Sequence, residues 1–141
     1  MKKLTTDELL KILNNQNDIM EFVSNYGDSL SPMFLKEYMD FLFESKSLSK
    51  SDVIKASGLD RTYCYQLFNG TKSPSRDKII ALSFGFHLDC SETNRFLKLA
   101  GFSELYPKVQ RDSCIIFALN KKYDIITANE FLSELGEKIL N

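Results

Sequence analysis

The residue types and motifs on which most enzymes depend are scarce in this chain of 141 residues. It has one histidine, His87, and its six glycines are isolated, so neither a metal site nor a glycine-rich nucleotide loop is indicated. We expect His87 to lie at a helix C-terminus, where it interacts with the helix dipole. The sequence therefore predicts a protein that is not an enzyme, with no catalytic residue, no metal and no cofactor.

Long apolar runs are also missing. The longest candidates, 79–86 and 114–119, fall far short of the roughly 20 apolar residues that a transmembrane helix needs. The N-terminus reaches Asp7 and Glu8 before any long apolar run, which argues against a signal peptide. The three cysteines form no CxxC pair and are interpreted as reduced thiols. These features predict a cytoplasmic protein without a membrane partner.

The charges are unevenly distributed along the chain, although the net charge is −1. Residues 1–45 carry 4 Lys and Arg against 8 Asp and Glu, residues 46–78 carry 7 against 3, and residues 79–141 carry 7 against 8. The segment 46–78, with a net charge of +4, is the only basic block. Such a patch can attract phosphates even when the whole protein is nearly neutral. On its own, the clustering indicates no more than a solvated charged surface.

The chain is predicted to be all-α, because strand signals are weak and apolar residues recur at helical spacing. Three helix starts carry the capping-box pattern, and they are Thr5 with Glu8, Ser49 with Asp52, and Thr127 with Glu130. Other helices are predicted at 18–26 (ended by Gly27), from Ser31 and Pro32 to about 46, and at 76–87, 91–100, 110–121 and 128–140. The adjacent pairs Arg76 with Asp77 and Arg111 with Asp112 are interpreted as salt-bridged helix starts.

The most informative segment is 48–70, LSKSDVIKASGLDRTYCYQLFNG. It predicts a helix over 49–57 that Gly58 ends, and a second helix that Asp60 caps and Gly70 ends. This is the layout of a helix-turn-helix, which places its second helix in the DNA major groove. The residues predicted to face inward are Val53 and Ala56 in the first helix and Cys64, Leu67 and Phe68 in the second. Those left outward are Arg61, Thr62, Tyr65, Gln66 and Asn69.

The segment 48–70 resembles the lambda-repressor-like, XRE-type family of helix-turn-helix regulators without a gap. The turn glycine falls at Gly58, the next apolar residue at Leu59 and the inner leucine at Leu67. The family usually has alanine where Ile54 stands, because the two motif helices cross closely there. Cys64 and Phe68 also depart from its common residues.

The resemblance extends over residues 32–101, about half of the chain. It implies a five-helix lambda-repressor-like DNA-binding domain at 31–101. Packed helices would flank this domain, as a helical N-terminal extension at 1–30 and a C-terminal helical hairpin at 102–141.

Carried over position by position, the resemblance also implies a DNA interface. The residues at base-reading positions are Arg61, Thr62 and Gln66. Those at backbone or phosphate positions are Lys50, Tyr63, Tyr65, Asn69 and Lys72. Arginine suits a bidentate bond to guanine and glutamine one to adenine, whereas lysine and asparagine position a motif on phosphates. The implied protein is a sequence-specific transcriptional regulator that binds double-stranded DNA as a homodimer.

A different class of function stays open, a protein-interaction module such as an adaptor or an antitoxin-like partner. The acidic N-terminal segment favours it, and so do Tyr63 and Tyr65, which are bulky for a groove-facing surface. The C-terminal helices are aromatic and aliphatic. They either close the core or supply a surface for a second copy or another protein.

Overall fold

The computed structural model describes residues 5–8 and 33–141. The chain divides into two compact units, Met1–Phe34 and Leu35–Asn141. The predicted helix at 18–26 with its stop at Gly27, and the predicted helix start at Ser31 and Pro32, lie outside the described residues.

In the first unit, the capping box of Thr5 and Glu8 is confirmed. The Glu8 N–H donates to the Thr5 hydroxyl over 3.1 Å, and the Thr5 N–H donates to the Glu8 carboxylate over 3.2 Å. These bonds satisfy two backbone donors that a helix start otherwise leaves without partners.

Seven helices follow one another in residues 33–141. They are α1 (Met33–Ser45), α2 (Lys50–Ser57), α3 (Arg61–Phe68), α4 (Arg76–Gly85), α5 (Cys90–Leu99), α6 (Gln110–Asn120) and α7 (Ile125–Glu134). Because the described residues contain helices and no strand, the all-α class is confirmed. The lambda-repressor-like arrangement of these helices remains a prediction. None of the helices in 33–141 has the length and apolar content that crossing a bilayer demands.

The start, turn and stop predicted for α2 and α3 are confirmed. Ser49 and Asp52 form the capping box of α2, with the Asp52 N–H donating to the Ser49 hydroxyl over 3.0 Å. Gly58 ends α2 in the left-handed region at φ +71°, which suits glycine because it has no Cβ. Asp60 caps α3 by accepting a hydrogen bond of 2.9 Å from the Tyr63 N–H, and Gly70 follows the helix at φ +81°.

The capping box predicted for Thr127 and Glu130 is wrong. Asp124 is the N-cap of α7, and its carboxylate accepts the Thr127 N–H over 2.8 Å. Aspartate is among the strongest N-cap residues, so the helix starts three positions earlier than predicted. The helix predicted at 128–140 also ends earlier than predicted, at Glu134.

The inward face of α2 also differs from the prediction. Val53 is buried as expected, but Ala56 is only half-buried and Ser57 takes the buried position. The Ser57 hydroxyl donates to the Ile54 carbonyl over 2.8 Å, which satisfies it inside the core. The buried stripe of α2 thus runs through residues 53, 54 and 57.

Helix α4 forms the centre of the second unit, since every residue from Ile79 to Phe86 is buried. It packs against α2, α5 and α7. At Gly85 the backbones of α2 and α4 come close together, because a Cβ built there would lie 2.7 Å from the Val53 carbonyl oxygen and 3.1 Å from the Ser57 Cβ. The close crossing of α2 is therefore with α4, and glycine permits it.

Two Arg–Asp pairs connect the starts of α4 and α6. Arg76 binds Asp112 through two bonds of 3.1 and 2.9 Å, and Arg111 binds Asp77 through two of 2.8 and 3.0 Å. The four residues are thus salt-bridged at helix starts as predicted, but each arginine pairs with the aspartate of the other helix. Adjacent positions on a helix do not face each other, so the partners come from across the fold.

Each of these arginines also holds a loop in place. Arg76 donates to the carbonyls of Ser103 and Glu104 over 3.2 and 3.0 Å. Arg111 donates to the Lys138 carbonyl over 2.9 Å. The loop before α6 and the tail after α7 are therefore fixed through side chains at helix starts.

Candidate nucleic-acid interface

Helix α3 is held by an apolar inner face that fixes which of its side chains reach solvent. Cys64, Leu67 and Phe68 are buried as predicted, and the Phe68 ring meets Phe43 of α1 edge to face, with centroids 5.0 Å apart. Cys64 and Phe68, which differ from the residues common in the XRE-type family, are therefore accommodated in the core. Burial raises the pKa of the Cys64 thiol, which keeps it neutral beneath the helix.

The three predicted base-reading residues lie in the first two turns of α3. Arg61 and Thr62 are exposed and Gln66 is half-buried. Thr62 and Gln66 are four residues apart and so share one side of the helix. The side chains of Arg61, Thr62 and Gln66 form no hydrogen bond to the described part of the chain, which leaves their donors and acceptors available.

Arg61 is positioned by an aromatic neighbour. Its guanidinium carbon lies 5.5 Å from the centroid of the Tyr65 ring, in cation–π geometry. The Tyr65 ring in turn meets Phe68 edge to face, with centroids 6.4 Å apart. The structure thus links an exposed cation at the start of α3 to the buried side of the same helix.

Tyr63 brings two lysines together. The Nζ of Lys72 lies 5.8 Å from the Tyr63 ring centroid, and the Nζ of Lys78 lies 5.2 Å from it. The predicted site did not include Lys78. Its membership of the basic block was the available signal, whereas its proximity to Tyr63 is a contact between α4 and α3 that the sequence pattern does not specify.

Asn69 is used mainly by the loop that follows α3. Its side-chain oxygen accepts the Thr71 N–H over 3.0 Å and also the Thr71 hydroxyl. The Lys72 N–H donates to the Gln66 carbonyl over 3.2 Å. These bonds order the loop that carries Lys72, and they leave only the amide NH₂ of Asn69 for an outside partner.

Not all of the basic block is available for a partner. Lys46 pairs with Glu92 over 3.2 Å and Arg76 pairs with Asp112 over 2.9 Å. The remaining five cations make no salt bridge within residues 5–8 and 33–141, and they are Lys50, Lys55, Arg61, Lys72 and Lys78. Because Asp52 and Asp60 cap helices and Asp77 binds Arg111, the acids of the block are already engaged.

Lys50 forms no side-chain hydrogen bond, salt bridge or cation–π contact with the other predicted site residues in the part of the chain that the structure describes. It is the first residue of α2 and is exposed, and it makes no contact with α3 among the described side-chain interactions. The structure therefore joins four of the eight predicted residues by side-chain contacts, Arg61 with Tyr65 and Tyr63 with Lys72.

The C-terminal helices carry a separate aromatic surface. Phe117 of α6 is 42% exposed, and its ring lies 5.3 Å from that of Phe131 and 6.0 Å from that of Tyr123. Leu135 is exposed near the end of α7. These helices therefore combine core packing with an exposed apolar face.

In the part of the chain that the structure describes, no three His, Cys, Asp or Glu side chains come together in a way that could hold a metal ion. His87 is exposed just beyond α4, in the left-handed region at φ +58°. Comparison with protein-family models, with curated proteins and with solved structures finds no match for this chain, and its resemblance to the XRE-type family stays a prediction.

Proposed function

We propose that this chain is a cytoplasmic, non-enzymatic regulator that binds specific sequences in double-stranded DNA through α3. The observation that carries the proposal is the outer side of α3. There, the side chains of Arg61, Thr62 and Gln66 are without hydrogen bonds in the described structure, and Lys72 and Lys78, which have no salt bridge in it, lie against Tyr63 of the same helix. A helix with a buried apolar face, a polar outer face and neighbouring cations is suited to lie in the major groove.

The proposed roles follow from the chemistry of each side chain. Arg61 would donate both guanidinium branches to the O6 and N7 of a guanine, and Gln66 would form a donor–acceptor pair with the N6 and N7 of an adenine. Thr62, between them, would contact a base edge or a thymine methyl group. Tyr65 would hold Arg61 in position, since its ring already lies beneath the guanidinium.

The phosphate contacts would come from the flanks of α3. Lys72 and Lys78, assembled around Tyr63, would bind one backbone strand, with the Asn69 amide beside them. Lys50 at the start of α2 would bind a second position. In this proposal α1 to α5 form the five-helix lambda-repressor-like unit, and two copies would read two half-sites about one DNA turn apart. Bound in this way, the protein would regulate transcription either by occluding a promoter or by recruiting other proteins to it.

Selection from random duplex DNA with the purified chain at moderate salt tests the proposal directly. Enrichment of a defined site, and of an inverted repeat if the protein binds as a homodimer, is the expected result. If no sequence is enriched, sequence-specific DNA binding by this chain is excluded under those conditions.

Replacing both Arg61 and Gln66 by alanine is expected to relax base preference at two positions of the selected site. Each lost bidentate contact should reduce discrimination by about 1–3 kcal/mol. The measurement is competitive binding of the selected site against single-base variants. Arg95→Ala, which removes an exposed arginine of α5 outside the basic block, serves as control and should leave preference unchanged. Unaltered specificity in the double variant would refute the assignment of α3 as the reading helix.

Lys50→Ala is expected to weaken binding to all DNA sequences alike. The slope of log K against log salt should become shallower by about 0.9, the value for one lost phosphate contact on duplex DNA. Lys108→Ala, which removes an exposed lysine outside the basic block, is the matched control with the same change in charge. Equal slopes in the two variants would show that Lys50 makes no phosphate contact.

A protein-interaction module is the second candidate, and the exposed apolar face of α6 and α7 favours it. Phe117→Ser and Leu135→Ser should abolish capture of a defined protein partner without changing DNA binding. In the same chain, DNA selection without enrichment combined with partner capture that depends on Phe117 would support this second function over the first.

A further inference from the structure

A cavity of about 270 Å³ lies where the ends of α2 and α4 meet the turn between α6 and α7. Its walls include Lys55 and Ala56 of α2, Phe84 and His87 at the end of α4, and Lys122 and Ile125 beside the start of α7. The volume is slightly below the roughly 300 Å³ at which pockets for drug-sized ligands begin, so any occupant is small.

The cavity joins an apolar floor to a basic rim. Phe84 and Ile125 are buried core residues, whereas Ile126 at the same cavity is 67% exposed. Lys55 and Lys122 make no salt bridge within the described chain, and both line the opening. An apolar wall with a few convergent polar groups is the usual composition of a small-molecule site.

The charges around the cavity are predominantly positive. Lys55 and Lys122 line it, against a single acid, Asp124. The Asp124 carboxylate is the N-cap of α7 and accepts the Thr127 N–H. Asp52, which is outside the cavity lining, interacts electrostatically with Lys55 but forms no salt bridge with it in the described chain. The two lysines therefore outnumber the one acid of the lining.

A simpler role for these lysines is to offset the negative ends of two helices, since Lys55 lies in the last turn of α2 and Lys122 just beyond α6. Neither ammonium group forms a hydrogen bond to a helix-end carbonyl in the described chain. The carbonyls of Lys55 and Leu119 accept backbone N–H groups instead, over 3.4 and 3.1 Å. The lysine ammonium groups are thus able to bind an anion in the cavity.

We infer that this cavity binds a small organic anion with a flat apolar body, of the class of aromatic carboxylates. The ring would lie on Phe84 and Ile125, and the carboxylate would lie between the ammonium groups of Lys55 and Lys122. The inference does not depend on the proposed DNA-binding function, because binding can be measured on the protein alone.

The experiment is a titration of the full ¹⁵N-labelled chain with sodium benzoate, followed by amide NMR shifts. We expect saturable shifts at residues 55–56, 84–87 and 122–126, with a dissociation constant of about a millimolar for so few ligand atoms. Benzamide, which has nearly the same shape without the charge, should bind at least about tenfold more weakly. Equal binding of benzamide, or no saturable shift, would overturn the inference.

Variants distinguish a defined binding site from a general attraction of the anion to surface lysines. The double variant Lys55→Gln with Lys122→Asn should lose binding at least about tenfold, and asparagine tolerates the φ of +58° at position 122. Lys121→Gln removes the neighbouring lysine, whose Nζ lies over Phe117, and should leave binding unchanged. Ala56→Leu should block the cavity without changing charge. A dispersed spectrum will show that the double variant is folded. Benzoate shifts that persist in the folded double variant would contradict the inference.

Discussion

Gly85→Ala is expected to destabilise the protein by about 3 kcal/mol, at the upper end of what overpacking usually costs. The added Cβ would lie 2.7 Å from the Val53 carbonyl oxygen and 3.2 Å from the Val53 Cγ1. The first of these atoms is backbone in the middle of α2, so no change of rotamer relieves the contact. The whole of α2, which carries the turn before α3, would have to move away from α4.

Whether Gly85→Ala lowers or raises the free energy of unfolding is informative. Position 85 has a helical conformation within α4, where alanine is favoured over glycine by about 1 kcal/mol. Chemical denaturation of the variant therefore tests packing directly, because stabilisation would mean that α2 and α4 are not in close contact. Gly136→Ala is the control: its Cβ would meet no atom within 4 Å, and only the strain of φ +75° remains, which should cost about 1 kcal/mol.

Arg76→Ala is expected to destabilise the protein by about 2–3 kcal/mol, somewhat less than the loss of a fully buried pair. The variant removes four hydrogen bonds, two to the Asp112 carboxylate and two to the carbonyls of Ser103 and Glu104. Asp112 has a side chain only 7% exposed, and it would keep just the bond from the Tyr106 N–H. A largely desolvated carboxylate without its cation is the main source of the cost.

Lys98→Ala is the matched control for Arg76→Ala. It removes the salt bridge with Glu104, whose two side chains are 66% and 44% exposed, so the expected loss is within about 0.5 kcal/mol. Adding Asp112→Asn to Arg76→Ala should recover part of the loss, because no unpaired charge then remains. Equal effects of Arg76→Ala and Lys98→Ala in urea unfolding would contradict the importance of the Arg76–Asp112 pair.

The same pair should be visible in the pH dependence of stability. Burial alone would raise the pKa of Asp112, but the hydrogen bonds from Arg76 and the Tyr106 N–H, with the charge of Arg76, outweigh it and hold the pKa below its ordinary value. A carboxyl of this kind contributes stability that is complete above about pH 5 and is lost as the pH falls through its folded pKa. The wild type should therefore lose more stability in acid than Asp112→Asn.

Local signals in the sequence predicted the segment around α2 and α3 well. Ser49, Gly58 and Asp60 act within three or four residues of their own position, so the pattern and the structure depend on the same short-range hydrogen bonds. Prediction failed at Thr127 because two acceptable caps lie three residues apart. Asp124 formed the earlier one, which shifted the helix.

Long-range features could not be predicted from the pattern. Asp112 and Arg76 are 36 positions apart, and nothing in either adjacent Arg–Asp pair indicates that the partners exchange. For the same reason the basic block gave no sign that Lys46 and Arg76 are paired with distant acids. The cluster of Tyr63 with Lys72 and Lys78 likewise required the placement of α4 beside α3. The positions of Arg61, Thr62 and Gln66 follow from helical spacing, whereas their role in binding DNA stays a proposal.

The exchanged Arg–Asp pairs also carry an evolutionary consequence. Losing one partner leaves a desolvated charge, whereas losing both can be nearly neutral, so selection acts on the pair rather than on either residue. Positions 76 and 112 are therefore expected to change together in descendants of this sequence, and so are positions 77 and 111. In an alignment of relatives, the two adjacent columns at the start of α4 should covary with the two adjacent columns at the start of α6, the first of one pair with the second of the other. That pattern would identify distant relatives of this fold even where the residues of α3 have diverged.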